Sequence, residues 1–227
     1  MQTKSSFSLR KLFPGLDEEE LTKLQQASSV IMLRKGKNLF VGGDTPRSVY
    51  AIANGCLKIV RENSEGGNLI VRVVKSGEVL GLNEIFLNSN YLRTAVALRD
   101  SEIFAIDIRT LVDIVNRKPE LAIHFMKNLC QEIGKLERRL EASMFKTAKS
   151  RVTGVLFDLH GSFADNANDS VFEPPLSRRD IAEMADVAPE TVSRVLADLK
   201  VGGVLDSQGP VFRVLDANAF AGEAQGV

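Results

Sequence analysis

Two stretches carry side chains suited to gripping a partner rather than to making or breaking bonds. From Leu176 to Leu199, two short apolar-periodic segments lie almost back to back. Ile181, Ala182 and Ala185 share one face of the first, and Val192, Val195, Leu196 and Leu199 share one face of the second. Ser177, with Asp180 three residues on, is close to a capping box. Pro189 suits the first turn of the second helix, where its missing N–H costs nothing. Helices this short, joined by about four residues, must cross steeply to share a core. That is a helix-turn-helix, whose second helix enters the major groove of double-stranded DNA. The other stretch runs from Gly81-Leu82-Asn83 to Arg93-Thr94-Ala95. A short helix opening after Gly81 would aim backbone N–H groups at an anion, and Arg93 could pair with that anion. The alternative is an ordinary loop, with Arg93 solvated or paired to a local acid. No nucleophile–base pair, metal cluster or Walker-type phosphate loop stands out, which argues against an enzyme.

The whole chain sets the bounds for these two stretches. With 227 residues, 44% of them hydrophobic, one large domain or two modest ones can bury a core. A formal net charge of zero leaves room only for a local basic face. Cys56 and Cys130 lie far apart and form no metal-ligand spacing, and a reduced cytosolic setting is expected. No apolar run reaches the length of a membrane span, and the first residues lack the apolar core of a secretory signal. A cytoplasmic protein with no membrane partner is the expectation.

The elements that position the two stretches follow from hydrophobic rhythm. Residues 9–27 read as a packing segment broken by Pro14-Gly15, with Asp17 capping a helix over Glu18–Gln26. From Ser28 to Asp107 short apolar runs alternate with Gly, Asn, Asp and Ser. Strands are expected over Val30–Leu33, Asn38–Val41, Val49–Ile52, Leu57–Val60, Leu69–Val74, Val79–Leu80, Thr94–Leu98 and Ile103–Ile106. Breaks fall at Gly36, Gly42-Gly43-Asp44, Asn54-Gly55, Glu65-Gly66-Gly67 and Ser76-Gly77, and Asn54-Gly55 carries the strongest hairpin signal. Many short strands at this spacing predict a closed antiparallel β-roll or jelly roll.

After Arg109 the rhythm turns helical. A short helix is expected over Thr110–Asn116, and Pro119 opens a long one. Ala122, Met126, Leu129, Ile133, Leu136, Leu140 and Met144 alternate steps of four and three, ending on a four, with charged flanks. Such a narrow seam meets its own copy in a parallel dimer, or else packs on the chain's own β-roll; the charged flanks favour the dimer. Phe125–Thr153 has a local charge of +4, whereas Leu176–Leu215 is slightly acidic. Phosphate attraction is therefore expected to come partly from this basic hinge and from a second subunit. Thr147–Leu159 forms another amphipathic helix. Val171–Glu173 reads as a short strand, and two strands about Gly209-Pro210 form a wing. One short helix at most follows Ala217.

This order of parts resembles the cAMP receptor protein / fumarate-nitrate regulator superfamily of bacterial transcription factors, over nearly the whole chain. In the β-roll the resemblance rests on Gly36, Gly43-Asp44, Tyr50, Gly55 and Gly77-Glu78. Farther along it rests on Leu176-Ser177-Arg178, Ile181-Ala182 and Glu190-Thr191-Val192-Ser193-Arg194. It implies an α+β fold in three parts: a β-roll sensor over 1–118, a dimerisation helix over 119–146 and a winged helix-turn-helix over 147–227. It implies that Glu190, Ser193 and Arg194 read bases, of the fumarate-nitrate type associated with TTGAT half-sites in an inverted repeat. A carboxylate accepts from cytosine and a guanidinium donates to guanine; the bland alternative for Glu190 and Arg194 is an intrahelical ion pair. Ser177, Arg178, Thr191 and Gln208 resemble phosphate contacts, which position without specifying. Met126, Leu129, Ile133, Leu136 and Leu140 would form the homodimer seam, and RNA polymerase is the further partner implied.

The sensor half departs from the nucleotide-binding members. Arg93-Thr94-Ala95 matches their phosphate-binding segment, but Leu82 stands where a ribose-binding acid belongs, in Gly81-Leu82-Asn83. Leu136 and Glu137 fall where those members place small hydroxyl residues against the base. Gly81, Leu82, Asn83, Arg93, Thr94 and Leu136 thus outline a candidate effector pocket closer to the non-nucleotide branch. No cysteine precedes Cys56, so the iron–sulfur cluster of the oxygen-sensing members is not expected. No cofactor is predicted. Cyclic nucleotide stays open through Arg93, and haem through His124, His160, Cys56 or Cys130.

Overall fold

The computed structural model describes residues 10, 12–62, 67–164, 166 and 169–226. Leu9 and the Glu65-Gly66 part of one expected break lie outside them. The chain divides into two compact units, Met1–Ile133 and Gly134–Val227.

In the first unit, helix α1 (Glu18–Gln26) opens with a full capping box between Asp17 and Glu20. Eight strands follow: β1 (Ser28–Leu33), β2 (Asn38–Phe40), β3 (Ser48–Asn54), β4 (Cys56–Glu62), β5 (Asn68–Lys75), β6 (Val79–Leu80), β7 (Thr94–Ala97) and β8 (Ser101–Asp107). They form two antiparallel four-stranded sheets, ordered β1-β8-β3-β6 and β2-β7-β4-β5. Every expected strand is present, shifted by at most two residues at either end. The short helix α2 (Leu82–Phe86) sits between β6 and β7, and α3 (Ile108–Arg117) leads from β8 towards α4 (Pro119–Phe145).

Near-continuous apolar strands are explained by cover on both faces. Along β3, Ile52 and Tyr50 face the interior with Phe40, Leu57, Val74 and Ile103. Val49, Ala51 and Ala53 face the other way, against Phe13, Leu24, Leu111, Leu121 and Phe125. One sheet face thus closes the roll and the other holds the helices.

The expected hairpin at Asn54-Gly55 is not there. β3 and β4 belong to different sheets, so this pair turns a corner between them. Gly55 has φ +114°, and a Cβ at this position would stand 2.1 Å from the Ser101 hydroxyl and 2.7 Å from its Cα. Glycine is demanded by close approach of β8, not by a two-residue turn.

The second unit holds the rest of α4 and then α5 (Ala148–Phe163), β9 (Val171–Phe172), α6 (Arg178–Ala185), α7 (Pro189–Val201), β10 (Leu205–Gln208), β11 (Val211–Val214) and α8 (Ala217–Gln225). The last two strands pair antiparallel about Gly209-Pro210, and β9 joins them as β10-β11-β9. No helix among the described residues is long and apolar enough to cross a membrane.

Candidate nucleic-acid interface

Helix α6 starts where its sequence says it should. The Ser177 hydroxyl accepts from the Asp180 N–H (3.1 Å) and donates to the Asp180 carboxylate (2.6 Å), which also accepts from the Ser177 N–H (2.8 Å). Its end is less ordinary. Asp186 closes α6 in the left-handed region, φ 53°, which lets the chain turn sharply into α7. Pro189 opens α7 at its first turn, behind Ala188. Val192, Val195, Leu196 and Leu199 are buried, which fixes the rotation of α7 about its axis. That rotation puts Glu190, Ser193 and Arg194 on the exposed face, with Thr191 half-buried at its margin. The intrahelical pair is not formed: among the described residues, neither Glu190 nor Arg194 has a hydrogen-bond or ion-pair partner. A free acceptor and a free fork of donors on one helix face are what base edges require.

The wing lies within the same unit. Gln208 is exposed at the end of β10, beside Gly209. Arg178, at the first position of α6, turns towards this wing. Its Nη2 donates to the Gly209 carbonyl (3.2 Å), and its guanidinium lies 4.5 Å from the centre of the Phe212 ring. Burial pushes its pKa below the ordinary arginine value.

The basic hinge is not the free phosphate-attracting patch its sequence charge suggests. Arg139 donates to the Met184 carbonyl (2.6 Å), and Arg151 donates to the carbonyls of Ala185 (3.0 Å) and Asp186 (3.0 Å). These are terminal carbonyls of α6, left without intrahelical donors, and cations suit a helix C-terminus. Lys146 donates to the Ala224 carbonyl and Lys149 pairs with Glu223, tying α5 to α8. Sequence charge alone could not separate cations holding the domain together from cations facing outward.

The seam of α4 is open. Met126 is 55% exposed, Ile133 55%, Leu136 44%, Leu140 62% and Met144 68%, while Leu129 is half-buried. By contrast Leu121 and Phe125 are buried in the first unit.

In the β-roll, the candidate effector residues part company. Gly81 is buried with φ +89°, and Leu82 is 8% exposed within the helix-side core beside Val49, Phe13 and Phe104. Asn83 is exposed. Thr94 accepts from the Gly42 N–H (3.1 Å), and Arg93 is half-buried with its Nε enclosed and unbonded among the described residues. Phe40 stacks on Tyr91 at 3.8 Å and on Tyr50 at 5.9 Å, which adds three rings to the roll interior. Leu136 lies on the exposed seam of α4.

The residues raised as iron ligands are scattered. Cys56 is buried and its thiol is pushed up to about 12, chiefly by desolvation. Cys130 is exposed on α4. His160 contacts the Asp169 carbonyl at 2.6 Å, and His124 contacts Asn128 at 3.2 Å. Among the described residues, no three His, Cys, Asp or Glu side chains gather as a metal site.

Comparison with known proteins matches both halves of the chain. Residues 30–118 match the family model of the cyclic nucleotide-binding domain, and residues 150–222 match the Crp-like helix-turn-helix domain. The chain is 30% identical to the transcriptional activator protein FnrA of Stutzerimonas stutzeri over 195 residues, 86% of this chain and 80% of that protein. It is 26% identical to the fumarate and nitrate reduction regulatory protein of Escherichia coli K12 over 208 residues, 91% of this chain and 83% of that one. FixK2 of Bradyrhizobium japonicum shares the fold, with a TM-score of 0.76 at 22% identity over 86% of this chain and 96% of that one.

Proposed function

The chain belongs to the cAMP receptor protein / fumarate-nitrate regulator superfamily, on its fumarate-nitrate side, and is a DNA-binding transcription regulator; on that premise we propose that it works as a cytoplasmic homodimer on a palindromic TTGAT-type site. Glu190, Ser193 and Arg194 read base edges. Ser177, Thr191 and Gln208 face phosphates, with Arg178 behind them against the wing. Met126, Leu129, Ile133, Leu136 and Leu140 meet their copies along α4, so that two reading heads engage half-sites about one DNA turn apart. Residues 1–118 act as the sensor, 119–146 as the dimerisation helix and 147–227 as the DNA-binding part, with RNA polymerase as the downstream partner. The observation that carries this reading is the unpaired Glu190 and Arg194 on the exposed face of α7. The test is equilibrium binding to a TTGAT inverted repeat and to scrambled DNA. Arg194→Ala should abolish the preference for the repeat, and a preference that survives it removes the assignment.

The regulator is proposed to act without a cyclic nucleotide, because Leu82 is core and the rings of Phe40, Tyr50 and Tyr91 occupy the roll interior. A second reading has its own support: the enclosed, unbonded Nε of Arg93 suits an anion such as a cyclic nucleotide phosphate. Calorimetry with cyclic AMP and cyclic GMP separates the two, and absence of heat at millimolar nucleotide removes the second.

A further inference from the structure

Arg178 is the first residue of α6, yet its guanidinium is not presented to solvent like an ordinary helix N-terminal cation. Nη2 donates to the carbonyl of Gly209, at the turn of the wing. The guanidinium plane covers Phe212, 4.5 Å from the ring centre. Nη1 is enclosed and makes no hydrogen bond among the described residues, and no carboxylate pairs with the side chain there. Phe212 in turn stacks on Phe172 (5.0 Å, 17° between planes), and Phe172 meets the edge of His160 (5.3 Å, 76°). Four planar groups thus form a column from the last turn of α5, through β9 and β11, to the start of α6. The β10–β11 hairpin is only two four-residue strands, so its pose needs outside support. Arg178 supplies it at the turn, and β9 supplies it through Phe172, which pairs with and stacks on Phe212.

We infer that Arg178 is a positioning residue, a clasp that fixes the wing on the helix-turn-helix and so sets the wing-tip Gln208 for its phosphate. This deepens the proposed DNA reading and rests on it for its consequence, though not for the clasp itself. A point charge cannot replace the clasp. Lysine keeps the positive charge but loses the planar face over Phe212 and the fork that reaches Gly209. A residue that merely attracted phosphate would behave the other way round.

The test uses the full chain with Arg178→Lys, Arg178→Ala, Gln208→Ala and the Arg178→Lys/Gln208→Ala pair. Binding to the TTGAT repeat is measured by fluorescence anisotropy over a range of salt. With a clasp, Arg178→Lys should weaken binding roughly tenfold, the scale of one lost hydrogen bond to a charged group. Gln208→Ala should weaken it similarly, and the pair no further, because both remove the same wing contact. Arg178→Ala should leave the slope of log K against log salt unchanged, whereas loss of a direct phosphate contact lowers its magnitude by about 0.9. An Arg178→Lys protein that binds like the parent, or additive effects in the pair, overturns the inference. Amide exchange in the DNA-free proteins gives an independent readout: Arg178→Lys should speed exchange at Gln208, Gly209 and Val211 and leave α7 protected. Unchanged exchange there also overturns it. If the parent chain shows no preference for the repeat, the reading head falls, and amide exchange alone still decides the clasp.

Discussion

Leu140 offers the most direct test of the dimer, because its magnitude can be worked from exposure. Leu140→Ala removes three carbons, each worth about 0.8 kcal/mol when fully buried. In the single chain Leu140 is 62% exposed, so that share of its surface is still available to a partner. The loss comes to about 1.5 kcal/mol per copy, and to about 3 kcal/mol when both copies of a symmetric seam change. At 1.4 kcal/mol per factor of ten, the dimer dissociation constant should rise about a hundredfold. Alanine is the best helix former, so α4 itself is not weakened. Glu141→Ala, on the outward side of the helix, is the control and should change little. Sedimentation equilibrium across protein concentration reads both. A parent chain that is monomeric at micromolar concentration, or a Leu140→Ala protein with an unchanged constant, would refute the seam.

Three further outcomes follow from local geometry. Asp186→Gly should stabilise the second unit by about 0.5–1 kcal/mol and raise its Tm by a few degrees, since glycine adopts the left-handed φ of 53° more cheaply; calorimetry decides it, and a lowered Tm counts against the turn geometry. Gly55→Ala should cost about 2–4 kcal/mol from overpacking and backbone strain, and adding Ser101→Gly should not restore it, because the Ser101 Cα would still lie 2.7 Å from the new methyl; urea denaturation reads both. A thiol reagent at pH 8 should modify Cys130 in the native chain and reach Cys56 only after unfolding, because Cys56 is buried with its thiol pushed up to about 12. The unfolded thiol ionises near 9.0, so between 9 and 12 the unfolded chain binds fewer protons and stability falls as pH rises. Tyr91, raised in the same direction by burial, adds to that fall at higher pH. Cys56→Ala should flatten part of the pH dependence above 9.

What could be read from sequence, and what could not, divides along the range of the interaction. The short apolar runs bounded by Gly, Asn, Asp and Ser placed β3 and β8, and the steps of three and four placed α7, because burial is written into neighbouring residues. Ser177 with Asp180 marked the start of α6 for the same reason. Asn54-Gly55 misled, because the glycine answers to Ser101, which is remote in sequence and reached only after the roll closes. The left-handed Asp186 has no local signature, since aspartate is common at caps of every kind. The sensor stayed ambiguous because Leu82 reads equally as a lost ligand or as core, and only the contacts of α2 place it among Val49, Phe13 and Phe104.

Charge shows what the fold then does with the same residues. Gly134–Val227 carries 11 Lys and Arg against 14 Asp and Glu, a net of −3. Arg139 and Arg151 hold the end of α6, Lys146 and Lys149 hold α8, and Arg179 and Lys200 pair with Glu183 and Asp206. Arg178 covers Phe212. A unit built this way keeps few cations for counterion release, so one copy on one half-site gains little sequence-independent affinity. Weak attraction would sharpen discrimination on the proposed reading, because the hydrogen bonds assigned to Glu190 and Arg194 would then make up a larger share of the binding energy. In the proposed dimer, stable occupancy would come from joining two such heads, the second gaining an effective concentration near the DNA set by α4. On the proposed dimer, the open seam of α4 and the acidic DNA-binding unit would be two halves of one arrangement, with dimerisation supplying the affinity that the unit lacks on its own.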